Sequence, residues 1–379
     1  MTGELRCPLC AFVVPPAAEP LLCPACGVPL DYRCEAPEGL RPSELRGRGV
    51  WRYAPLLPDV EPVTLGEGGT PLVRSLRLGP ELGLDLGFKV EGGNPTGSFK
   101  DRGAAVLVAA LRALGAEAVA DDSSGNAGAA LAAYAARAGM RAVLYVPSHA
   151  SGPKLAQIEA YGARLVRVPG PRERATHAVE EACRGNLGLV YASHNASPFF
   201  PAGLATVAYE VFEDLGGEVP DHVVAPVGGG GLLLGLVAGF RRLRDLGWIG
   251  RVPRVHAAQP AACAPLVRAH RSGAVDAIEP EPGPTVAEGA RISRPARGRQ
   301  LLLLLRSVGG FAVAVPEEGI LRAQSELAER EGVYVEPTAA LALAALPELL
   351  ARGTIRPGER VVLVLTGSGL KAPRGRSPC

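Results

Sequence analysis

The 379-residue chain predicts an α/β fold, built on parallel sheets and preceded by a small cysteine-stapled module. Three observations carry this. From about residue 86, short apolar runs alternate with longer Ala- and Leu-rich runs, the pattern of strands followed by helices. The longer runs stop at Gly115, Gly139 and Gly162, where a left-handed cap is wanted. Ahead of them, four cysteines fall into two Cys-x-x-Cys pairs.

Composition narrows the classes. A 47% hydrophobic and 21% charged content suits a globular chain with a sizeable core. A net charge of +2 gives no electrostatic case for nucleic acid or an anionic membrane. No apolar run approaches the ~18 residues that a span needs, and Leu301 to Leu305 is too short and flanked by polar residues. Met1-Thr2-Gly3-Glu4-Leu5-Arg6 lacks the apolar core of a signal peptide, so the expected location is cytoplasmic.

Taken in order, Cys7-Pro8-Leu9-Cys10 and Cys23-Pro24-Ala25-Cys26 are two knuckles, each turning two thiolates to one side. Together they make a closed four-thiolate site of the kind that holds a structural zinc, with residues 1–36 as a zinc ribbon. Disulfides are disfavoured in the expected compartment, and no strand–helix pattern supports a redox role. Cys34, Cys183, Cys263 and Cys379 are isolated and read as ordinary thiols. Residues 37–65, rich in Pro, Arg and Gly, read as a segment wrapping the next domain, 66–379. Expected strands there are Gly87 to Glu91, Ala118 to Ala120, Ala142 to Val146, Arg164 to Val168, Leu189 to Ala192, His222 to Val227, Arg254 to Ala258 and Arg360 to Leu365. Helices are expected over 103–114, 127–138, 153–161 and 232–243.

Four turns at strand ends carry chemistry. Gly92 to Arg102 delivers Lys100 to a helix start, where positive potential favours a neutral amine able to hold an aldehyde as a Schiff base. A lone lysine in that place is ordinarily a solvated charge, and Ser98-Phe99 stands where a nucleotide loop requires Lys-Ser/Thr. Asp121 to Gly128 closes a strand and opens a helix with small polar residues, which suits a carboxylate. Gly228-Gly229-Gly230-Gly231 cannot supply Gly-x-Gly-x-x-Gly, and fits a lone phosphate better than a dinucleotide. Val362 to Lys371 ends an apolar strand in Thr366 and a glycine turn. A reactive amine, an anion-binding turn, a phosphate cradle and a hydroxyl together suit pyridoxal phosphate.

Asn94-Pro95-Thr96-Gly97-Ser98-Phe99-Lys100-Asp101-Arg102, Ser124-Gly125-Asn126 and Thr366-Gly367-Ser368-Gly369-Leu370-Lys371 resemble the fold-type-II pyridoxal-phosphate enzymes of the tryptophan synthase β superfamily. Within these, the chain is most similar to the threonine synthase family, some members of which carry an N-terminal zinc ribbon. The resemblance implies two open twisted sheets in two lobes, the smaller, mobile one spanning about 101–205. It implies that Lys100 holds the cofactor aldehyde and shuttles protons, with Phe99 beside the ring and Asn126 on its 3′-oxygen. Gly228, Gly229, Gly230 and Gly231 hold the phosphate, and Thr366 faces the pyridine nitrogen. Ser123, Ser124 and Ala127 grip the substrate carboxylate, and Lys154 and His194 are left to meet a substrate phosphate. The implied reaction is conversion of O-phospho-L-homoserine and water to threonine and phosphate. The implied partner is a small amino acid, and a homodimer is left open.

Three positions depart from the family pattern. Ala127 replaces a Thr or Ser, the glycine loop resembles that of serine/threonine dehydratases, and Phe200 stands where an Arg usually reads the substrate phosphate. Two alternatives therefore stay open: a dehydratase, ammonia-lyase or β-replacement enzyme on another amino acid, and a non-catalytic binding protein with this fold.

Overall fold

Apolar runs become strands and Ala/Leu-rich runs become helices along most of the chain. The structure, a computed structural model, describes every residue except 18, 151, 171, 185, 187, 280 and 373–379; Cys379 lies outside the described residues. Three short strands lead: β1 (Glu4–Arg6), β2 (Val13–Val14) and β3 (Asp31–Arg33). β4 (Leu72–Arg74) and β5 (Asp85–Val90) follow, then β6 (Ala118–Asp121), β7 (Arg141–Pro147), β8 (Arg164–Val168) and β9 (Leu189–Tyr191). Last come β10 (His222–Pro226), β11 (Arg254–Pro260), β12 (Ala312–Val315) and β13 (Arg360–Leu365).

The chain divides into two compact units. The first holds residues 1–69, 94–96 and 100–206; the second holds 70–93, 97–99 and the chain from 207 onward.

In the first unit, β2-β1-β3 form a small antiparallel sheet and β8-β7-β6-β9 a parallel one. Helix Lys100–Ala113 is buried from Asp101 through Leu111, a run mostly of Ala, Val and Leu, and packs on helix Asn126–Arg137. It begins three residues ahead of the expected start at 103. Asp101 is the reason: its carboxylate accepts the Thr96 N–H (2.8 Å) and hydroxyl (2.6 Å), which draws the preceding turn against the first helical turn. Val50 and Leu57 pack against Val106 of the same helix, so part of the Pro- and Gly-rich stretch has its own buried anchor. The glycines closing the expected helices, Gly115, Gly139 and Gly162, all take left-handed φ.

In the second unit the strand order is β12-β11-β10-β13-β5-β4. All neighbours run parallel except β4, which adds an antiparallel edge that alternation alone does not reveal. β10 is buried throughout and β13 from Val361 onward, as expected for parallel strands covered on both faces. Helix Pro337–Ala344 packs on β10, β11 and β13. Its sequence is apolar almost all round, so it carries no helical period to read. No helix of the described residues is long and apolar enough to cross a membrane.

Candidate active site

In the second unit the expected cofactor residues gather at the carboxyl ends of neighbouring parallel strands. Gly228 to Gly231 follow β10, and Thr366 follows β13, its partner in the sheet. Gly230 has φ +86°, and a Cβ there would lie 2.1 Å from Leu301 Cδ1, so only glycine is tolerated. It is the N-terminal flank of helix Gly231–Asp245, and no side chain caps that end. First-turn N–H groups left uncapped, next to a glycine turn, favour an anion. A Cβ on Gly228 would meet Gly289 O at 2.7 Å.

Residues 97–99 lie along the extension of β13. Ser98 bridges Gly367, the Ser368 N–H donates to Gly97 O (3.0 Å), and the Phe99 N–H donates to Thr366 O (2.9 Å). Phe99 is thus held by the backbone of Thr366. The Thr366 hydroxyl is buried and finds no hydrogen-bond partner among the described residues. Buried hydroxyls are ordinarily bonded, so this one calls for a partner the polypeptide does not provide.

In the first unit Lys100 opens helix Lys100–Ala113, and its Nζ stands 5.3 Å from the centre of the Phe200 ring. A Cβ on Gly103 would lie 2.6 Å from that ring, so the close approach of Phe200 depends on this glycine. Phe200 is therefore a packed platform under the amine. In the sequence Phe200 marks only a missing cation; the local signal for its role is Gly103, one turn after Lys100.

Ser123, Ser124, Asn126 and Ala127 lie where β6 passes into helix Asn126–Arg137, whose N-terminal flank, Gly125, gives no side-chain cap. The Ser123 hydroxyl accepts the Gly125 N–H (3.3 Å), which fixes the turn. Lys154, half-buried, sits in the first turn of helix Pro153–Ala160, and that helix packs on Asn126–Arg137. His194 is buried after β9, with its Nδ1 2.9 Å from Asp121 Oδ2. In the sequence Asp121 is only part of a polar turn; its partnership with His194 spans 73 residues and leaves no local signal.

The sulfurs of Cys7, Cys10, Cys23 and Cys26 all lie within 4.8 Å of one another. Each knuckle is set by backbone bonds, Cys7 N–H to Phe12 O (2.9 Å) and Cys23 N–H to Val28 O (2.8 Å). Burial raises the Cys23 thiol, but the N–H groups of Cys26 and Ala25 outweigh it and bring it down to about 7. A set of four sulfurs this close fits a tetrahedral thiolate metal site. Burial raises the Cys183 thiol to about 11 and pushes that of Cys263 upward, so both favour the protonated form.

The glycine cradle, the bonded Phe99 and the unmatched Thr366 hydroxyl fit a phosphorylated pyridine, and comparison with known proteins agrees. A family model described as "Pyridoxal-phosphate dependent enzyme" matches residues 63–367, and the chain belongs to that class of enzyme. The threonine synthase of Methanocaldococcus jannaschii is 40% identical over 90% of this chain and 86% of its own length. That of Methanosarcina acetivorans is 40% identical over 86% and 80% respectively. Within the class, the chain is of the threonine synthase family, a lyase. Among solved structures, serine racemase from Dictyostelium discoideum superposes with a TM-score of 0.67 at 26% identity, covering 79% of this chain and 92% of that one.

Proposed function

We propose that the enzyme converts O-phospho-L-homoserine and water to L-threonine and phosphate. The observation carrying the cofactor assignment is the buried, unmatched Thr366 hydroxyl beside the strand that leads into the tetraglycine turn. The substrate follows from threonine synthase relatives spanning most of the chain.

Pyridoxal phosphate, when bound, draws electrons from the substrate so that an α-carbon proton can leave. Lys100 would hold the cofactor aldehyde, and its amine would take and return that proton. Gly228, Gly229, Gly230 and Gly231 would hold the phosphate through backbone N–H groups; Thr366 would meet the pyridine nitrogen, Phe99 would flank the ring and Asn126 would bond its 3′-oxygen. A hydroxyl opposite the nitrogen does not enforce its protonation. This tempers electron withdrawal and favours prompt elimination. Ser123, Ser124 and the N–H of Ala127 grip the carboxylate, and Lys154 and His194 face the distal phosphate. Cys7, Cys10, Cys23 and Cys26 hold one structural zinc.

The test is spectroscopic and chemical. Purified enzyme should absorb in the visible, lose that band on Lys100→Ala, and release phosphate from O-phosphohomoserine. An unchanged band in the variant would refute the role of Lys100. Phe200, in place of a phosphate-reading cation, favours a second reading, a dehydratase of hydroxy amino acids. Ammonia and a keto acid from serine or threonine, with no phosphate from O-phosphohomoserine, would decide for it.

A further inference from the structure

β6 and β9 are parallel neighbours, paired through Ala120 and Tyr191, so the residues just beyond them leave the same end of the sheet. This places His194 against Asp121, Nδ1 to Oδ2 at 2.9 Å, with both side chains buried. A carboxylate only accepts, so the imidazole carries its proton on Nδ1 and keeps a lone pair on Nε2. The other oxygen of Asp121 finds no hydrogen-bond partner among the described residues. Asp122, by contrast, is engaged elsewhere: the Thr176 hydroxyl donates to Oδ2 (2.5 Å) and the Tyr191 hydroxyl to Oδ1 (3.3 Å), with Arg172 Nε at 3.9 Å. The His194 ring lies edge-on to Phe200, with centroids 6.1 Å apart, and the same ring underlies Lys100 Nζ. Imidazole and amine thus share one aromatic neighbour.

Resting on the threonine synthase reading, we propose that Asp121 and His194 form a second proton-handling pair, with Asp121 the positioning residue and His194 the base for the water that adds. Lys100 serves the carbon-bound protons. At His194 a water O–H breaks, its oxygen bonds the substrate β carbon, and the proton passes to Nε2. From Nε2 it goes to the phosphate oxygen whose bond to the γ carbon has broken, so the step leaves no proton over. The charged groups facing His194 are Asp121 at the end of β6, Asp122 just after it, Arg172 and Lys100. Burial above all, then Lys100 and Arg172, lowers the imidazole well below its usual value against the opposing pull of Asp122, which keeps it a base at neutral pH. Burial raises Asp121 to about 6, still ionised at neutral pH. Asp121, Asp122 and His194 do offer three ligand atoms within 4.8 Å, yet Arg172 and the hydroxyls on Asp122 oppose a cation there.

The experiment compares native holoenzyme with His194→Gln and Asp121→Asn, the latter able to donate to Nδ1 and so reverse the tautomer. Both variants should keep the visible cofactor band and exchange of the substrate-analogue α proton in D2O, because Lys100 is intact. Phosphate release from O-phosphohomoserine should fall in kcat by about 100-fold or more, with less change in KM and altered pH dependence of kcat. Native-like turnover in His194→Gln, loss of proton exchange in step with turnover, or a second stoichiometric divalent metal lost on Asp121→Asn would each overturn the pair. Native enzyme that releases no phosphate would instead defeat the substrate reading, and the pair with it.

Discussion

Thr366 carries a buried hydroxyl that the protein leaves unbonded, a penalty of about 1–3 kcal/mol when nothing else satisfies it. Thr366→Val keeps the shape and removes the hydroxyl. The cofactor-free variant should melt at the native temperature or above it, while its visible band is lost more readily on dialysis. A lower melting temperature in the cofactor-free variant would show that the hydroxyl is bonded within the protein. At Gly230 the two requirements coincide, a left-handed backbone and no room beside Leu301, so this glycine is set by its own surroundings as much as by any ligand. Phe200 shows the same economy: its ring fills the space over Gly103 and faces the Lys100 amine. One packing contact thereby orients a reactive group.

Among the elements, the N-terminal sheet β2-β1-β3 buries few side chains, Leu5 chief among them on its strands, too little to hold a fold of this length without a staple. The four sulfurs supply one. Cys10 Sγ and Cys23 Sγ are 3.7 Å apart, and Tyr32 of β3 lays its ring 5.6 Å from that of Phe199, next to Phe200. Purified protein should carry one zinc per chain, and Cys10→Ala should lose it and expose residues 1–36 to proteolysis. An equally resistant N-terminus after zinc removal would contradict a structural metal. Because Tyr32 touches the residue next to the amine's platform, chelation should also lower kcat by a few-fold; the expected structural role alone does not foresee this.

For the whole molecule, acid stability turns on a buried relay across the second sheet. The Phe311 N–H donates to His256 Nδ1 (3.1 Å), which leaves the His256 proton on Nε2 to be donated to His222 Nδ1 (2.9 Å). The His222 Nε2–H then donates to Glu359 Oε2 (3.0 Å). Both rings are therefore neutral. Burial, then the neighbouring His222 and Arg254, lowers His256 to about 3, and burial lowers His222 as well. An unfolded histidine titrates near 6.5, so below that pH the unfolded chain binds protons the native one refuses. Each ring's contribution is complete above about pH 6.5 and declines as pH falls, at up to about 1.4 kcal/mol per pH unit, the decline for His256 continuing to about 3. Urea midpoints measured from pH 8 to pH 5 should fall, and the slope should flatten in His256→Gln; an unchanged slope would mean that the rings are charged in the native state. What the sequence determined by itself were features confined to a few consecutive residues: the cysteine knuckles, the glycine caps, the strand ends and the turn that presents Lys100. Backbone geometry at those places depends on the residues themselves, so local chemistry is enough to read them. Tertiary structure alone decided that Asp121 meets His194, that Phe200 lies over Gly103 and that His222, His256 and Glu359 form one chain of bonds. Each of those meetings depends on which strand or helix lies beside which, an order set by burying whole faces at once and written in no single stretch of the chain.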